Sequence, residues 1–330
     1  MNIIYASNDG FARHLGVSML SLLDHNQAMA EIVIYVLSTG MSAENQQYLQ
    51  SIAGEYQREL VIIEMGNLKE RFSIPIDTRG FDISTMTRLF AAEALPETVK
   101  KAIYLDCDTV IIGNMQPFWD IPLAGCLVGM ALEPTAYEAI RSVIGLGMDD
   151  PYHNAGVLLM DLEAWRREQV QMRLLQYYAD HDGNLFACDQ DVLNGALKGR
   201  IKCLPPQFNF PTNYWYFRYE TLVGISASYS RITKQQFEAA KRRPVVVHYM
   251  GDERPWVAGN RNRFRKYYEV YLSRTPWRGT PKEKGKEAYM MIYHAMNLMT
   301  LLCPPLRLYV SRKFGMKVID SRKSRKESRK

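Results

Sequence analysis

Paired cysteines are missing from this 330-residue chain. Its five, Cys107, Cys126, Cys188, Cys203 and Cys303, are odd in number and scattered, with no Cys-x-x-Cys. That excludes a disulfide framework or a zinc ribbon and points to a reducing compartment. Long apolar runs are missing too. The charge-free segment Ala288 to Cys303 holds sixteen residues before Pro304-Pro305, short of the ~20 that a membrane span needs. No basic stretch followed by an apolar one precedes the first strand-like run, so no signal peptide is expected. A net positive charge is missing from the body. The net charge is +6, but residues 311–330 hold nine Lys or Arg against Asp320 and Glu327. The other 310 residues therefore sum to about −1, and no nucleic-acid partner is expected. What remains, 47% hydrophobic and 23% charged, is an ordinary globular composition with ample core for one large or two small domains.

Strand-like and helix-like segments alternate over the first hundred residues. Asn2 to Ala6, Glu31 to Leu37, Leu60 to Glu64 and Lys101 to Asp106 read as strands. Phe11 to Asn26, Ser42 to Tyr56 and Ser84 to Ala94 read as the helices between them. That order predicts an α/β fold, a Rossmann-like, mainly parallel sheet with helices on both faces. Further on, Cys126 to Ala131 and Ala155 to Leu162 read as strands, and Glu163 to Tyr178 and Asp189 to Leu197 as helices. Residues 204–220 read as a packed loop whose aromatics serve the core or, in part, line an acceptor groove, and Pro244 to Tyr249 as a buried strand. Pro276, Gly279, Pro281 and Gly285 then break the pattern. Residues 1–275 are expected to form one domain and 276–330 a C-terminal segment. In that segment His294, Asn297 and Thr300 recur every three positions as one polar stripe. With the basic tail, this predicts an interfacial amphipathic helix attracted to anionic lipid.

Asp106-Cys107-Asp108 closes the apolar run Ala102-Ile103-Tyr104-Leu105. Two carboxylates one residue apart at the end of a buried strand repel each other and resist desolvation unless a cation lies between them. The carboxyl edge of an open α/β sheet is also where ligands bind. Val245-Val246-Val247-His248 places an imidazole at the end of a second apolar strand, and Met250-Gly251-Asp252-Glu253-Arg254 follows as a turn. Two Asp oxygens and one imidazole suit Mn²⁺, with Mg²⁺ also compatible. Gly251 permits close approach of the backbone to phosphate, and Arg254 can neutralise a departing diphosphate. Ser7-Asn8-Asp9 follows the first strand at the same edge, where Asn8 can pair with a uracil edge and Asp9 can cap the next helix. Asp189 can cap the helix it begins.

Several landmarks lie in a fixed order along the chain. They are Ala6-Ser7-Asn8-Asp9, Thr87-Arg88-Leu89, Tyr104-Leu105-Asp106-Cys107-Asp108 and Asn154-Ala155-Gly156-Val157-Leu158-Leu159. Asp189-Gln190-Asp191-Val192-Leu193-Asn194, Phe208-Asn209-Phe210 and His248-Tyr249-Met250-Gly251 with Pro255-Trp256 complete the set. Over about residues 1–260 they resemble the family-8 retaining glycosyltransferases, in the layout of bacterial lipooligosaccharide galactosyltransferases. The resemblance implies a GT-A fold, a UDP-hexose donor, and Mn²⁺ held by Asp106, Asp108 and His248. It also implies that Ala6 and Asn8 contact uridine, and that Arg88, Asn154 and Asp189 hold the hexose, with Asp106 among the donor-binding residues. Asp189 and Gln190 would be catalytic, Gln190 beneath the anomeric centre, while Gly251 and Arg254 contact the diphosphate. Arg254 stands where the family has Lys, and Glu133 where it has a sugar-contacting Asp. His153 replaces the aromatic before Asn154, and Gly10 lacks the side chain that a relative's Asn supplies. These departures bear on donor identity.

The expected protein is therefore a retaining hexosyltransferase, cytoplasmic and peripheral on the inner face of the cell membrane. It would move galactose or glucose from UDP to a lipid-linked or polysaccharide acceptor of lipopolysaccharide type. Gln190 is a poor nucleophile, so a front-face displacement is expected. A sugar-1-phosphate nucleotidyltransferase would carry a Gly-rich loop with a basic residue after the first strand, and Ser7-Asn8-Asp9-Gly10 has neither. A membrane-surface binding protein with a vestigial nucleotide site would not need Asp106, Asp108 and His248 together.

Overall fold

The computed structural model describes residues 1–78, 80–310 and 313. The basic run expected to meet lipid thus lies, but for Lys313, outside the described residues. The strands are β1 (Asn2–Ser7), β2 (Val33–Ser38), β3 (Glu59–Glu64), β4 (Lys101–Leu105), β5 (Thr109–Ile111), β6 (Val128–Leu132), β7 (His153–Asp161), β8 (Ile201–Cys203), β9 (Phe210–Pro211) and β10 (Val246–His248). Seven make one sheet in the order β3-β2-β1-β4-β7-β6-β8. Only β7 runs against the others, antiparallel to β4 and β6. The alternation of elements predicts this mainly parallel sheet.

Its central strands are apolar along their length because helices cover both faces, and their side chains alternate between two cores. Ile3, Tyr5, Ile34, Val36, Ile103 and Leu105 pack with Leu15, Val17 and Leu22 of the helix Ala12–His25. Ile4, Tyr35, Leu37 and Tyr104 meet Leu89, Phe90, Trp165 and Leu193 on the other side.

Several local expectations change. Ile83–Phe90 is a 3-10 helix followed by one α turn, Ala91–Ala94, rather than a continuous α-helix. There Thr85, Thr87 and Arg88 each turn a side chain onto a carbonyl three residues back, at 2.7–3.0 Å, which competes with the α pattern. The single helix expected over 163–178 is two, Leu162–Arg167 and Val170–Asp180, separated where Gln169 takes φ +50°. Asp9 does not cap the helix after β1. Asn8 Oδ1 takes the Phe11 amide at 3.0 Å, while Asp9 Oδ1 accepts from Ser42 N–H and Asn45 Nδ2 at 2.8 and 2.7 Å.

β5, β10 and β9 form a second, small sheet in that order. Because β4 belongs to one sheet and β5 to the other, Asp106-Cys107-Asp108 stands where the first hands over to the second. β10 pairs antiparallel with β5, His248 opposite Thr109. The loop over 204–220 carries short 3-10 turns, and its Phe208, Phe210 and Tyr214 are core residues.

The helix Glu287–Leu302 turns its polar stripe inward. Asn297 and Thr300 are buried. Tyr293 Oη and Asn297 Nδ2 donate to Glu253 Oε1 at 2.5 and 3.2 Å, and Tyr289 Oη to Asp252 at 2.8 Å. Met291, Ile292, Leu298 and Leu302 stand 52% to 70% exposed on the outside. Among the described residues no helix is long and apolar enough to cross a membrane.

Candidate active site

The turn after β4 is held from all sides. Asp106 N–H donates to Gly156 O at 2.8 Å, extending the β4–β7 pairing, and Tyr249 N–H donates to Asp108 O at 2.9 Å. Thr109 Oγ1 closes the turn on Asp106 O at 2.7 Å. His248 Nε2 thereby lies 3.2 Å from Asp108 Oδ1 and 3.9 Å from Asp106 Oδ2. Ligand atoms of the three residues fall within 4.8 Å of one another. Burial pushes both carboxyls up. Asp106 ends above its ordinary value despite Arg88, whereas His248 and Arg254 hold Asp108 well below. Burial pushes His248 down, but the Asp108 and Asp106 charges outweigh it and raise the imidazole. Two carboxylates and an imidazole are a donor set that fits a divalent cation. His248 Nδ1 lies 2.9 Å from Asn209 Oδ1, so Nε2 is the nitrogen turned toward the carboxylates.

Beside this group Arg88, 3% exposed, bridges Asp106 Oδ1 at 2.8 Å and Asp189 Oδ2 at 3.0 Å while lying over the Tyr104 ring. It also donates to the Ala155 carbonyl. Cys188, not Asp189, is the N-cap of the helix Asp189–Ala196, and it adopts φ +45°, ψ −116°. A backbone this rare for a side-chain-bearing residue costs of order 1–3 kcal/mol, and it sits immediately before Asp189-Gln190-Asp191. Burial pushes Asp189 and Asp191 each up to about 6. Gln190 commits its whole amide between them. Oε1 accepts from Ala155 N–H and Asn154 Nδ2 at 3.0 and 3.3 Å, and Nε2 donates to Glu133 Oε2 and Tyr152 Oη, both at 3.1 Å.

Of the remaining sequence-predicted residues, Arg254 NH2 lies 3.4 Å from Asp108 Oδ2, and its buried Nε has no partner among the described residues. Gly251, three residues before it, takes φ +65° with open space around it. Ala6 lies next to the end of β1, its carbonyl accepting from Cys107 Sγ at 3.2 Å, and Asn8 Nδ2 donates to Asp82 Oδ2 at 2.6 Å. The structure thus gathers Asp106, Asp108, His248, Arg88, Asp189, Gln190, Asn154 and Arg254 at one centre, with Ala6 and Asn8 one strand away. Sequence reasoning missed Arg141. Fully buried, it donates to the carbonyls of Glu133, Pro134, Ala136, Gly147, Met148 and Asp150. It thereby holds the loop that delivers Glu133 to Asn154. A lone Arg whose hydrogen bonds go to carbonyls and whose guanidinium lies over the Tyr152 ring leaves no motif; the turn-forming Pro134, Gly145 and Gly147 around it are the trace in the sequence.

A nucleotide enters an open α/β sheet at its carboxyl edge, and a diphosphate departing there needs cationic charge at its oxygens. The Asp106, Asp108 and His248 group with Arg254 beside it, at the carboxyl edge of a mainly parallel sheet, fits the class of enzymes that bind a diphosphate through a divalent cation. Comparison narrows the class: residues 2–259 match the profile described as Glycosyl transferase family 8, and the chain belongs to that family. It is 23% identical over 280 residues to general stress protein A of Bacillus subtilis, across 84% of this chain and 94% of that one. It is 24% identical over 289 residues to the lipopolysaccharide 1,2-glucosyltransferase of Escherichia coli, across 87% and 81%. Among solved structures, the galactosyltransferase LgtC in complex with donor and acceptor sugar analogs superposes with a TM-score of 0.70 at 25% identity, over 84% of this chain and 96% of that one. The protein is a glycosyltransferase.

Proposed function

We propose that this glycosyltransferase moves a hexose, galactose or glucose, from UDP to a lipid-linked or polysaccharide acceptor of lipopolysaccharide type, with retention of configuration. The observation that carries the reading is the Asp106, Asp108 and His248 group beside Arg254, whose buried Nε is left open. A buried donor without a partner is costly, and an anionic diphosphate would satisfy it. The relatives named above, a lipopolysaccharide glucosyltransferase and a galactosyltransferase, support a hexose donor.

Asp106, Asp108 and His248 would hold Mn²⁺, with Mg²⁺ also fitting, and the ion when bound supplies Lewis-acid stabilisation of the leaving diphosphate. Arg254 and the open backbone at Gly251 receive the diphosphate, and Ala6 and Asn8 the uridine. Arg88 fixes Asp106 and Asp189, and Asn154 and Asp189 orient the hexose. Gln190, its amide fully committed, walls the sugar rather than attacking it. The anomeric bond to the phosphate oxygen then breaks as the acceptor oxygen bonds on the same face, and the phosphate oxygen takes the acceptor's proton.

The same reading sets the enzyme against the inner face of the cell membrane, with 276–330 as the contacting segment. The exposed face of Met291, Ile292, Leu298 and Leu302 lies beside exposed Arg261, whose backbone amide donates to His294 at 2.7 Å. An exposed apolar strip with a cation near the same helix suits an anionic lipid surface.

The test is UDP release over a panel of UDP-sugars, with and without Mn²⁺, for wild type and Asp108→Ala. Metal-dependent turnover of one donor, lost in the variant, supports the reading and identifies the sugar. Release from no donor, with no metal-dependent UDP binding, overturns it.

A further inference from the structure

Asn209 is 1% exposed, and both ends of its amide are used inside the site. Its Oδ1 lies 2.9 Å from His248 Nδ1, and its Nδ2 donates to Asn154 Oδ1 at 2.8 Å. A group that cannot reverse fixes the direction of this chain of bonds. Gly156 N–H, a backbone donor, meets Asn154 Oδ1 at 2.9 Å, and Asn154 Nδ2 donates to the Glu133 carboxylate at 2.9 Å. Asn154 must therefore present oxygen to Asn209. Asn209 must answer with its NH₂, which leaves its own oxygen for His248. An oxygen at that place demands hydrogen on Nδ1, so Nε2 is the nitrogen whose lone pair is left for a cation bound between Asp106 and Asp108.

We propose that Asn209 is a positioning residue that sets the tautomer of His248 and mechanically joins the cation site to the hexose site. This rests on the metal reading above. The hydrogen bond on a ligating imidazole's other nitrogen fixes its tautomer and orientation, and losing such a partner costs about 10–100-fold in metal affinity. Asn209 does more than that, because its second hand holds Asn154, which with Glu133 also holds Gln190. A bound cation and a bound hexose would each steady the other's residues through this one amide.

Two variants separate its two bonds. Asn209→Leu keeps the shape and removes both, so Mn²⁺ affinity, read by electron paramagnetic resonance with and without UDP, falls about 10–100-fold. Asn209→Asp still accepts from Nδ1–H but cannot donate to Asn154, and places two oxygens face to face. Mn²⁺ and UDP then bind nearly as in wild type, while the advantage of UDP-hexose over UDP shrinks about tenfold. The ¹⁵N spectrum of His248 in the Mg²⁺-loaded protein shows Nδ1–H in wild type and Asn209→Asp, and loses that preference in Asn209→Leu. Wild-type Mn²⁺ affinity with Nδ1–H retained in Asn209→Leu overturns the proposal alone. A wild type that binds no Mn²⁺, with or without UDP, overturns the metal reading together with it. Should Asn209→Leu not fold, Asn209→Asp decides: a Mn²⁺ loss of tenfold or more there refutes the tautomer role.

Discussion

Gly156→Ala is the smallest change that should empty the cation site. A Cβ at this position would lie 2.3 Å from His248 Cε1, 2.9 Å from Asp106 Oδ2 and 3.0 Å from His248 Nδ1. Carbon atoms in contact settle near ~3.5–4.0 Å, so the imidazole must retreat by about 1 Å. It cannot do so freely, being 2% exposed, bonded to Asn209 and carried on a strand paired on both sides. Metal sites tolerate ligand displacements of only about 0.2 Å, so coordination through Nε2 is lost. The fold should largely survive. Gly156 has no positive φ, so alanine gains about 0.4–1 kcal/mol by restricting the unfolded chain, against an overpacking cost of about 1–3 kcal/mol. The net loss of about 0–2.6 kcal/mol lowers the Tm by a few degrees. The assay is thermal unfolding with and without Mn²⁺ and UDP. Ligands that bind only the native state raise the Tm, so wild type should shift upward and the variant should not. A Gly156→Ala protein that keeps the full ligand-induced shift would refute the placement of His248 and its role as a ligand.

Four further outcomes are expected. Arg88→Met leaves buried Asp189 and half-buried Asp106 without their shared cation and should cost about 3–5 kcal/mol in urea unfolding; a loss under ~1 kcal/mol would contradict the bridging geometry. Asp189 is pushed to about 6 by burial in spite of Arg88, so its charged form dominates above that pH and is lost by protonation below it. The logarithm of kcat/KM should therefore fall with acid from pH 6 downward, and the residual activity of Asp189→Asn should lack that limb; an unchanged limb would assign it elsewhere. Glu253→Gln puts an NH₂ against two donors whichever oxygen it replaces, Thr212 with Asn262 or Tyr293 with Asn297. It should lose about 1–3 kcal/mol and raise the donor KM more than it lowers kcat, since it loosens the loop carrying Arg254. The pair Ile292→Glu and Leu298→Glu, both exposed, should abolish co-sedimentation with anionic vesicles at an unchanged Tm; undiminished binding would move the membrane contact elsewhere.

The sequence displays the site where chemistry interrupts an apolar run. Asp106 and His248 are legible because each ends a stretch of buried residues, and the parallel sheet is legible because β1 to β4 alternate with helices of ordinary length. The second sheet is not, since β5, β9 and β10 have two or three residues each, too few for any period to register. Asn209 and Arg141 escape for another reason. Asn209 meets residues 39 and 55 positions away, and Arg141 gives its hydrogen bonds to carbonyls, which every residue has.

The C-terminal helix marks the limit most clearly. Periodicity places His294, Asn297 and Thr300 on one face but does not say which face meets the body. Glu253 decides that. Buried at 1% exposure with two donors on each oxygen, it would be prohibitively expensive as a lone charge, and the helix supplies half of what it needs. Once Tyr293 and Asn297 must face Glu253, Met291, Ile292, Leu298 and Leu302 have no choice but to face out. The demand for a rigid turn beside Arg254 thus sets the orientation of a helix beyond the matched family region, and with it the surface the enzyme offers to its surroundings.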